Sequence, residues 1–288
     1  MKIFMRKVIT VVFIIFSINT IAQTTDWVKS FGGGYSDKGI SIGTDSLGFI
    51  YCSGYFNNEA TFGSITLANP NFNPNLQNNK ENFIFKIDSL GNVLWAIAGG
   101  NLNGNCCDDR ALGMHVTPGG DVFITGTFWG SYNIGSHTNP LCEVQNGPWG
   151  TGLNNADNSL LLKLDKDGNC VWVIGFGGDE SWGTCPGLTD PDDHSYDVKV
   201  DDDGFIYVTG FFGGESADFD NFTITNPDYP ITCKPMGYIG KLDPNGNWLW
   251  VDKFEGIKDD RGSRDNRLAI DQFSNIYVVG GFQNTGNY

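Results

Sequence analysis

A ten-residue segment occurs three times in this chain at nearly constant spacing, and no other feature restricts the fold as strongly. The copies span 86–95, 163–172 and 241–250. Each reads Lys-(Ile/Leu)-Asp, two variable residues, Gly-Asn, two more variable residues and Trp. Asp and Asn favour tight turns and Gly supplies positive φ, so each copy predicts a β-hairpin. A unit repeated at fixed spacing indicates a repeat architecture.

A second two-stranded pattern lies ahead of each of these segments. Near-alternating apolar residues lead to a turn rich in Asp, Gly or Ser, and a β-branched and aromatic run follows. The copies end at Gly54, Gly126, Gly210 and Gly280. Between the two hairpins, a third repeated piece containing Asn-Pro predicts a short extra strand or ribbon. No helical apolar period occurs after residue 22, so we expect almost no helix.

Four strands per repeat predict an all-β fold, a β-propeller of four-stranded antiparallel blades. About four blades are present, and the last is incomplete because no third-strand segment follows Gly280. One interpretation is a longer propeller truncated at the C-terminus. The alternative is a small closed propeller of four blades that lacks one strand, which leaves an exposed sheet edge.

The repeats resemble the SBBP-type β-propeller repeat of secreted bacterial proteins. The resemblance is carried by Phe31-Gly32-Gly33, by the run from Asp45 to Gly54, by Phe62-Gly63 and by the run from Phe83 to Gly91. It extends over nearly all of 27–282. It implies the propeller fold, but this family is defined by its architecture and has no shared catalytic residues to transfer. The long connections also depart from its compact repeat.

The N-terminus predicts export. Lys2, Arg6 and Lys7 precede an apolar run over 8–18, and small residues end it near Ala22. This pattern is typical of a signal peptide, here 1–22, followed by the repeat domain at 23–288. A membrane anchor is the alternative, but the run is about half of the ~20 residues that a span needs. We therefore expect a secreted or cell-surface protein with no membrane span after cleavage.

The charge of the chain restricts its partners. The net charge is −15, and it becomes −18 without the first 22 residues. Such an acidic chain disfavours nucleic acid and anionic membrane surfaces. We expect a glycan or a surface protein as partner.

Antiparallel strands place the connections of each repeat on two opposite faces. The short turns 1–2 and 3–4 share one face, the short-turn face. The long connections 2–3 and 4–1 share the other, the long-loop face, where we expect any ligand.

Basic residues occur in register before each first strand: Lys38, Arg110, His194 and Arg264. They predict either an anion-binding ring at the mouth of a central channel or local bridges to Asp37, Asp109 and Asp193.

Tryptophans fall into two groups. Trp95, Trp172 and Trp250 recur at one register, which predicts packing of one sheet against the next. Trp129, Trp149 and Trp182 lie in long connections. There they are candidates for stacking on sugar rings, or else they pack within their own loops.

Seven cysteines are present, and five lie in long connections. We predict the disulfides Cys185–Cys233 and Cys142 with Cys107 or its neighbour Cys106, since an exported chain permits them. Cys52 and Cys170 lie in strands and are predicted to be buried free thiols. A zinc site is the alternative, but no C-x-x-C pair occurs.

Signs of catalysis are weak. No catalytic residues or cofactors are assigned; Asp190, Asp192 and Asp193 form a calcium candidate in an acidic loop. The favoured function is a non-catalytic binding or adhesion module. The alternatives are a polysaccharide lyase or hydrolase that uses carboxylates with His194 or His137, and a structural spacer of a larger surface protein.

Overall fold

The computed structural model describes residues 27–74, 79–101, 109–136, 139–144, 157–178, 193–227, 235–254 and 266–280. Within these ranges every regular element is a β-strand. None of the described residues belongs to a helix that is long and apolar enough to cross a membrane. In chain order the strands are β1 Lys38–Thr44, β2 Ile50–Phe56, β3 Glu59–Phe62, β4 Ile65–Ala68, β5 Glu81–Ile87, β6 Val93–Asn101, β7 Arg110–Val116, β8 Val122–Phe128, β9 Tyr132–Ser136, β10 Asn139–Val144, β11 Asn158–Leu164, β12 Cys170–Phe176, β13 His194–Val200, β14 Ile206–Phe212, β15 Ser216–Phe219, β16 Phe222–Thr225, β17 Met236–Leu242, β18 Trp248–Phe254, β19 Arg267–Ile270 and β20 Ile276–Val279.

Each of the first three repeats forms an antiparallel sheet of four strands. The first sheet has the order β1-β2-β5-β6, the second β7-β8-β11-β12 and the third β13-β14-β17-β18, while β19 and β20 form a two-stranded fourth sheet. Trp250 pairs with Lys241 and lies in β18, the outer strand of the third sheet. The predicted all-β, antiparallel fold is thus confirmed. The described residues do not close a ring of sheets, so the β-propeller itself stays a prediction.

Short ribbons join the second and third sheets to the sheet before them. The ribbon β9–β10 adds to the first sheet, because Ile134 pairs with Gly99 of β6. In the third repeat, Asp218 of β15 forms a bridge with Gly177, just beyond β12. The sequence predicts a ribbon in each repeat but not this pairing with the preceding sheet.

The hydrophobic cores lie between sheets. Leu160 and Leu162 of β11 enter the core shared with the first sheet, where they meet Ile84. Leu161, which points to the other side of the same strand, enters the core shared with Tyr238 of the third sheet. Alternate residues of one strand therefore bury both faces of the second sheet, as the period of a β-strand requires.

The repeated tryptophan packs on a turn of the next sheet. A Cβ added to Gly168 would lie 3.0 Å from the Trp95 ring, and Trp172 contacts Gly246 in the same way. Trp27, which precedes the first sheet, makes the same contact with Gly91. The indole of Trp95 also donates to the Lys166 carbonyl oxygen, at 3.3 Å. Gly168 has a φ of +84°. Glycine at this position therefore satisfies the turn conformation and leaves room for the ring.

This contact predicts a difference between two glycine substitutions. Gly48 has a φ of +83° but no atom within 4 Å of an added Cβ, so Gly48→Ala measures the cost of the conformation alone. We expect that cost to be about 1–2 kcal/mol. Gly168→Ala should lower the free energy of unfolding by about 1–3 kcal/mol more, because the methyl group displaces the indole. Urea unfolding measures both, and equal losses would contradict the proposed packing role.

Candidate functional site

The first residues of four consecutive sheets surround one cavity. Lys38 begins β1, Arg110 begins β7, His194 begins β13 and Arg267 begins β19. All four line a cavity of about 290 Å³, which we call the basic cavity. Each of these strands follows a connection on the long-loop face, so the basic cavity lies at that face.

Three of the four basic residues predicted from register are brought together here. Arg264 lies outside the described residues, and Arg267 was not predicted. Arg267 directly precedes the alternating apolar residues of β19, and this position in the sequence could have identified it. The remaining lining residues are uncharged: Gly39, Ile40, Leu112 and Tyr196.

Packing holds two of the basic side chains in place. The His194 ring is buried and stacks on Tyr196, with ring centroids 5.7 Å apart and planes inclined by 15°. The His194 ring also packs against Phe211, with ring centroids 5.0 Å apart. Arg267 Nη1 donates to the Tyr196 carbonyl oxygen at 2.6 Å. The third sheet and β19 thus share one wall of the basic cavity.

The aspartates that precede these residues bind backbone amides. Asp109 accepts from Asn101 N at 2.7 Å and from Trp129 N at 3.1 Å. Asp193 accepts from Gly178 N and, at 3.2 Å, from Gly213 N. Each carboxylate therefore joins the end of the preceding sheet's last strand to the second strand of its own sheet.

These contacts bear on the calcium candidate. Asp193 is buried and accepts two backbone bonds, whereas Asp190 and Asp192 lie outside the described residues. No group of three His, Cys, Asp or Glu side chains within the described ranges is arranged to hold a metal ion. The structure therefore assigns Asp193 a role in joining sheets.

Burial changes the charge of these aspartates. Loss of solvent raises the pKa of Asp193 to about 8, and it raises the pKa of Asp109 well above its ordinary value. The backbone bonds oppose this effect without overcoming it. Asp193 is therefore mostly protonated at neutral pH and does not neutralise the cations of the basic cavity.

The raised pKa of Asp193 predicts a pH dependence of stability. The unfolded carboxyl ionises near pH 4, but the folded one holds its proton up to about pH 8. Unfolding then releases a proton, so stability falls as pH rises from about 4 to 8, by at most about 1.4 kcal/mol per pH unit for this group. Asp193→Asn should reduce that slope in urea titrations at several pH values. Asp202→Asn, in an exposed turn, is the control, and equal slopes for wild type and Asp193→Asn would refute the assignment.

The opposite ends of the first strands line a second cavity of about 580 Å³. Its carboxylates serve the turns: Asp45 accepts from Leu47 N, Phe49 N and the Tyr51 hydroxyl. Burial, with Lys199 nearby, lowers the pKa of His115 in this cavity to about 4. Asp201, which also lines this cavity, accepts from Asp203 N, Phe205 N and the Tyr207 hydroxyl in its own turn.

Of the three tryptophans predicted on the long-loop face, the structure describes one. Trp129 is half-buried and its backbone N–H is bound by Asp109, while Trp149 and Trp182 lie outside the described residues. Sequence reasoning missed another pair on this face. Tyr35 is 54% exposed, and its ring centroid lies 4.7 Å from that of Phe72.

The predicted partner of Cys142 is wrong. Cys142 forms a disulfide with Cys170, with Cα atoms 6.0 Å apart, so Cys170 is not a free thiol. The reason is the ribbon: β9 pairs with β6, which brings β10 next to β12 of the second sheet. Cys52 is the free thiol of the described part of the chain, half-buried, and burial raises its pKa to about 11. The pair Cys185–Cys233 and both Cys106 and Cys107 lie outside the described residues.

The disulfide predicts one peptide and one stability change. A non-reducing peptide map should contain Cys142 linked to Cys170, and a link from Cys142 to Cys106 or Cys107 would contradict the structure. Replacing both cysteines by Ser should lower the free energy of unfolding by about 3 kcal/mol, because the bond restricts the unfolded chain. Cys52→Ala is the control and should cost less.

Comparison with known proteins leaves the family open. No protein-family model matches the chain, and no curated protein matches it. Among solved structures it is similar to a protein of unknown function from Bacteroides caccae, with a TM-score of 0.38 and 12% sequence identity. That match covers 84% of this chain and 53% of the other, so the chain spans about half the length of that protein.

Proposed function

We propose that this chain is an exported, non-catalytic binding module of β-propeller architecture, whose ligand contacts the long-loop face. The repeats then correspond to blades of the SBBP type. Glycans and surface proteins are the ligand classes that suit such a face.

The packing of the sheets supports the propeller. The first strands contact one another in series, β1 with β7, β7 with β13 and β13 with β19. Apolar surface remains at both ends of the series. Ile42 of β1 is exposed on the first sheet, and Tyr277 and Val279 of β20 are exposed on the fourth. Such surfaces suit ring closure or the packing of further blades.

One observation carries the location of the ligand. Four strands from four sheets begin with a basic residue, and all four residues line the basic cavity at the long-loop face. The long connections also begin and end there. Rigid strands that present charged side chains among long loops are a common design of binding sites.

The chemistry of the lining supports binding. No carboxylate lines the basic cavity, and the neighbouring Asp193 binds backbone amides. Acid–base catalysis by a His–carboxylate pair requires both groups within reach of the substrate. Export is supported by the N-terminal pattern and by the disulfide, which is typical of oxidising compartments.

The test compares bulky substitutions on the two faces. The mature protein is applied to arrays of neutral glycans, acidic glycans and surface proteins. Gly39 lines the basic cavity and has no atom within 4 Å of an added Cβ, so Gly39→Trp obstructs the cavity without a change of charge. Leu90→Trp places the same ring on an exposed turn of the short-turn face.

We expect Gly39→Trp to weaken binding about tenfold, a loss of about 1.4 kcal/mol, while Leu90→Trp has little effect. Thermal unfolding confirms that both variants fold. The proposal fails if the two variants weaken binding equally, or if the wild-type protein binds nothing on the arrays.

A further inference from the structure

We propose that the basic cavity binds the anionic group of an acidic sugar, a carboxylate or a sulfate. This inference rests on the proposed function, since it names the ligand class of the long-loop face. Two independent features support it: the cations of the cavity and an aromatic pair close to them in sequence.

The cations are concentrated against the charge of the whole chain. The protein carries −15, yet the charged residues that line this cavity are Lys38, Arg110 and Arg267, with His194 beside them. Asp193, the nearest carboxyl in sequence to His194, is largely neutral because of its burial. The positive potential of these side chains attracts anions to the cavity, although the protein as a whole is acidic.

Guanidinium groups suit planar or tetrahedral oxyanions. Arg267 uses one Nη1 donor on the Tyr196 carbonyl oxygen, and a guanidinium has five donors in a fixed fork. Arg110 faces the same cavity from the neighbouring sheet. Two guanidinium groups from neighbouring sheets therefore line one cavity.

Size favours a small group over an extended acidic chain. A cavity of about 290 Å³ is at the lower limit of small-molecule sites, so it admits one anionic group and part of one sugar ring. The rest of the ligand then extends over the long-loop face.

The aromatic pair favours a sugar over an acidic peptide. Tyr35 lies three residues before Lys38, is 54% exposed, and contacts Phe72 from the following long connection. Tyr35 and Asp37 line a further cavity of about 860 Å³, beside the start of β1. An exposed aromatic face with a hydroxyl tip packs against the apolar face of a sugar ring and binds its hydroxyl groups.

The experiment uses the whole mature protein and five probes. Glucuronate, glucose 6-sulfate, glucose, inorganic sulfate and an Asp–Glu dipeptide are titrated by NMR chemical-shift changes. We expect the two acidic sugars to bind at least about tenfold more tightly than each of the other three probes. An increase from about 50 to about 500 mM NaCl should weaken the acidic sugars and leave glucose unchanged.

Substitutions test the cations and the aromatic pair separately. Arg110→Gln with Arg267→Gln should weaken both acidic sugars about tenfold. Lys163→Gln with Lys166→Gln removes the same charge at the short-turn face and should not. Lys38→Gln, at an exposed position, gives a second test if the arginine variant does not fold. Tyr35→Ala should weaken glucuronate but leave inorganic sulfate unchanged.

Each other outcome overturns the inference. Glucose binding as tightly as glucuronate excludes an anion site, while the proposed function stands if Gly39→Trp still weakens binding on the arrays. Inorganic sulfate binding as tightly as glucose 6-sulfate shows an adventitious ion only. Preference for the dipeptide assigns the site to a protein ligand. Unchanged affinity in the arginine variant and in Lys38→Gln excludes the basic cavity.

Discussion

The contact between one sheet and the next is the interaction on which this structure depends. A four-stranded sheet has two faces and buries neither by itself, so each face must be covered by a neighbour. Three devices recur at these contacts. The Trp95 ring covers Gly168, the ribbon β9–β10 pairs with β6, and Asp109 accepts backbone bonds from both sheets. Apolar area, backbone pairing and a buried carboxyl thus act at one boundary, and each repeat adds another boundary of the same kind.

The same contacts position the candidate site. Because the first strands of consecutive sheets lie side by side, their first residues converge, and Lys38, Arg110 and His194 meet although they are more than 70 residues apart in sequence. Burial raises the pKa of the neighbouring Asp109 and Asp193, because it favours the protonated form of a carboxyl group. An acidic protein thereby presents a basic cavity on the face with its long connections.

Several local predictions succeed because they depend on short-range chemistry. The turns formed by Asp165 and its counterparts follow from the preference of Asp, Gly and Asn for tight turns, and the strand pattern follows from apolar alternation. The partner of Cys142 could not be predicted in this way. The position of Cys142 is set by the pairing of its ribbon with a strand of another repeat. That pairing uses backbone hydrogen bonds between distant segments, which local residue preferences do not predict. The fourth basic residue, Arg267, was missed for a related reason: register counting selected Arg264, while the start of β19 decides which side chain lines the cavity.

By itself, the sequence determined the all-β class, the four strands of the first three repeats, the turn at each Gly-Asn and the register that places Lys38, Arg110 and His194 at the start of a first strand. These properties depend on neighbours within a few residues, and residue preference and periodicity express them directly. Only the tertiary structure decided which sheets exchange ribbons, that Cys142 joins Cys170, that Asp109 and Asp193 bind backbone amides, and that four basic residues share one cavity. These properties arise where separate repeats come into contact, and the free energy of burying two surfaces together belongs to the pair and to neither segment alone.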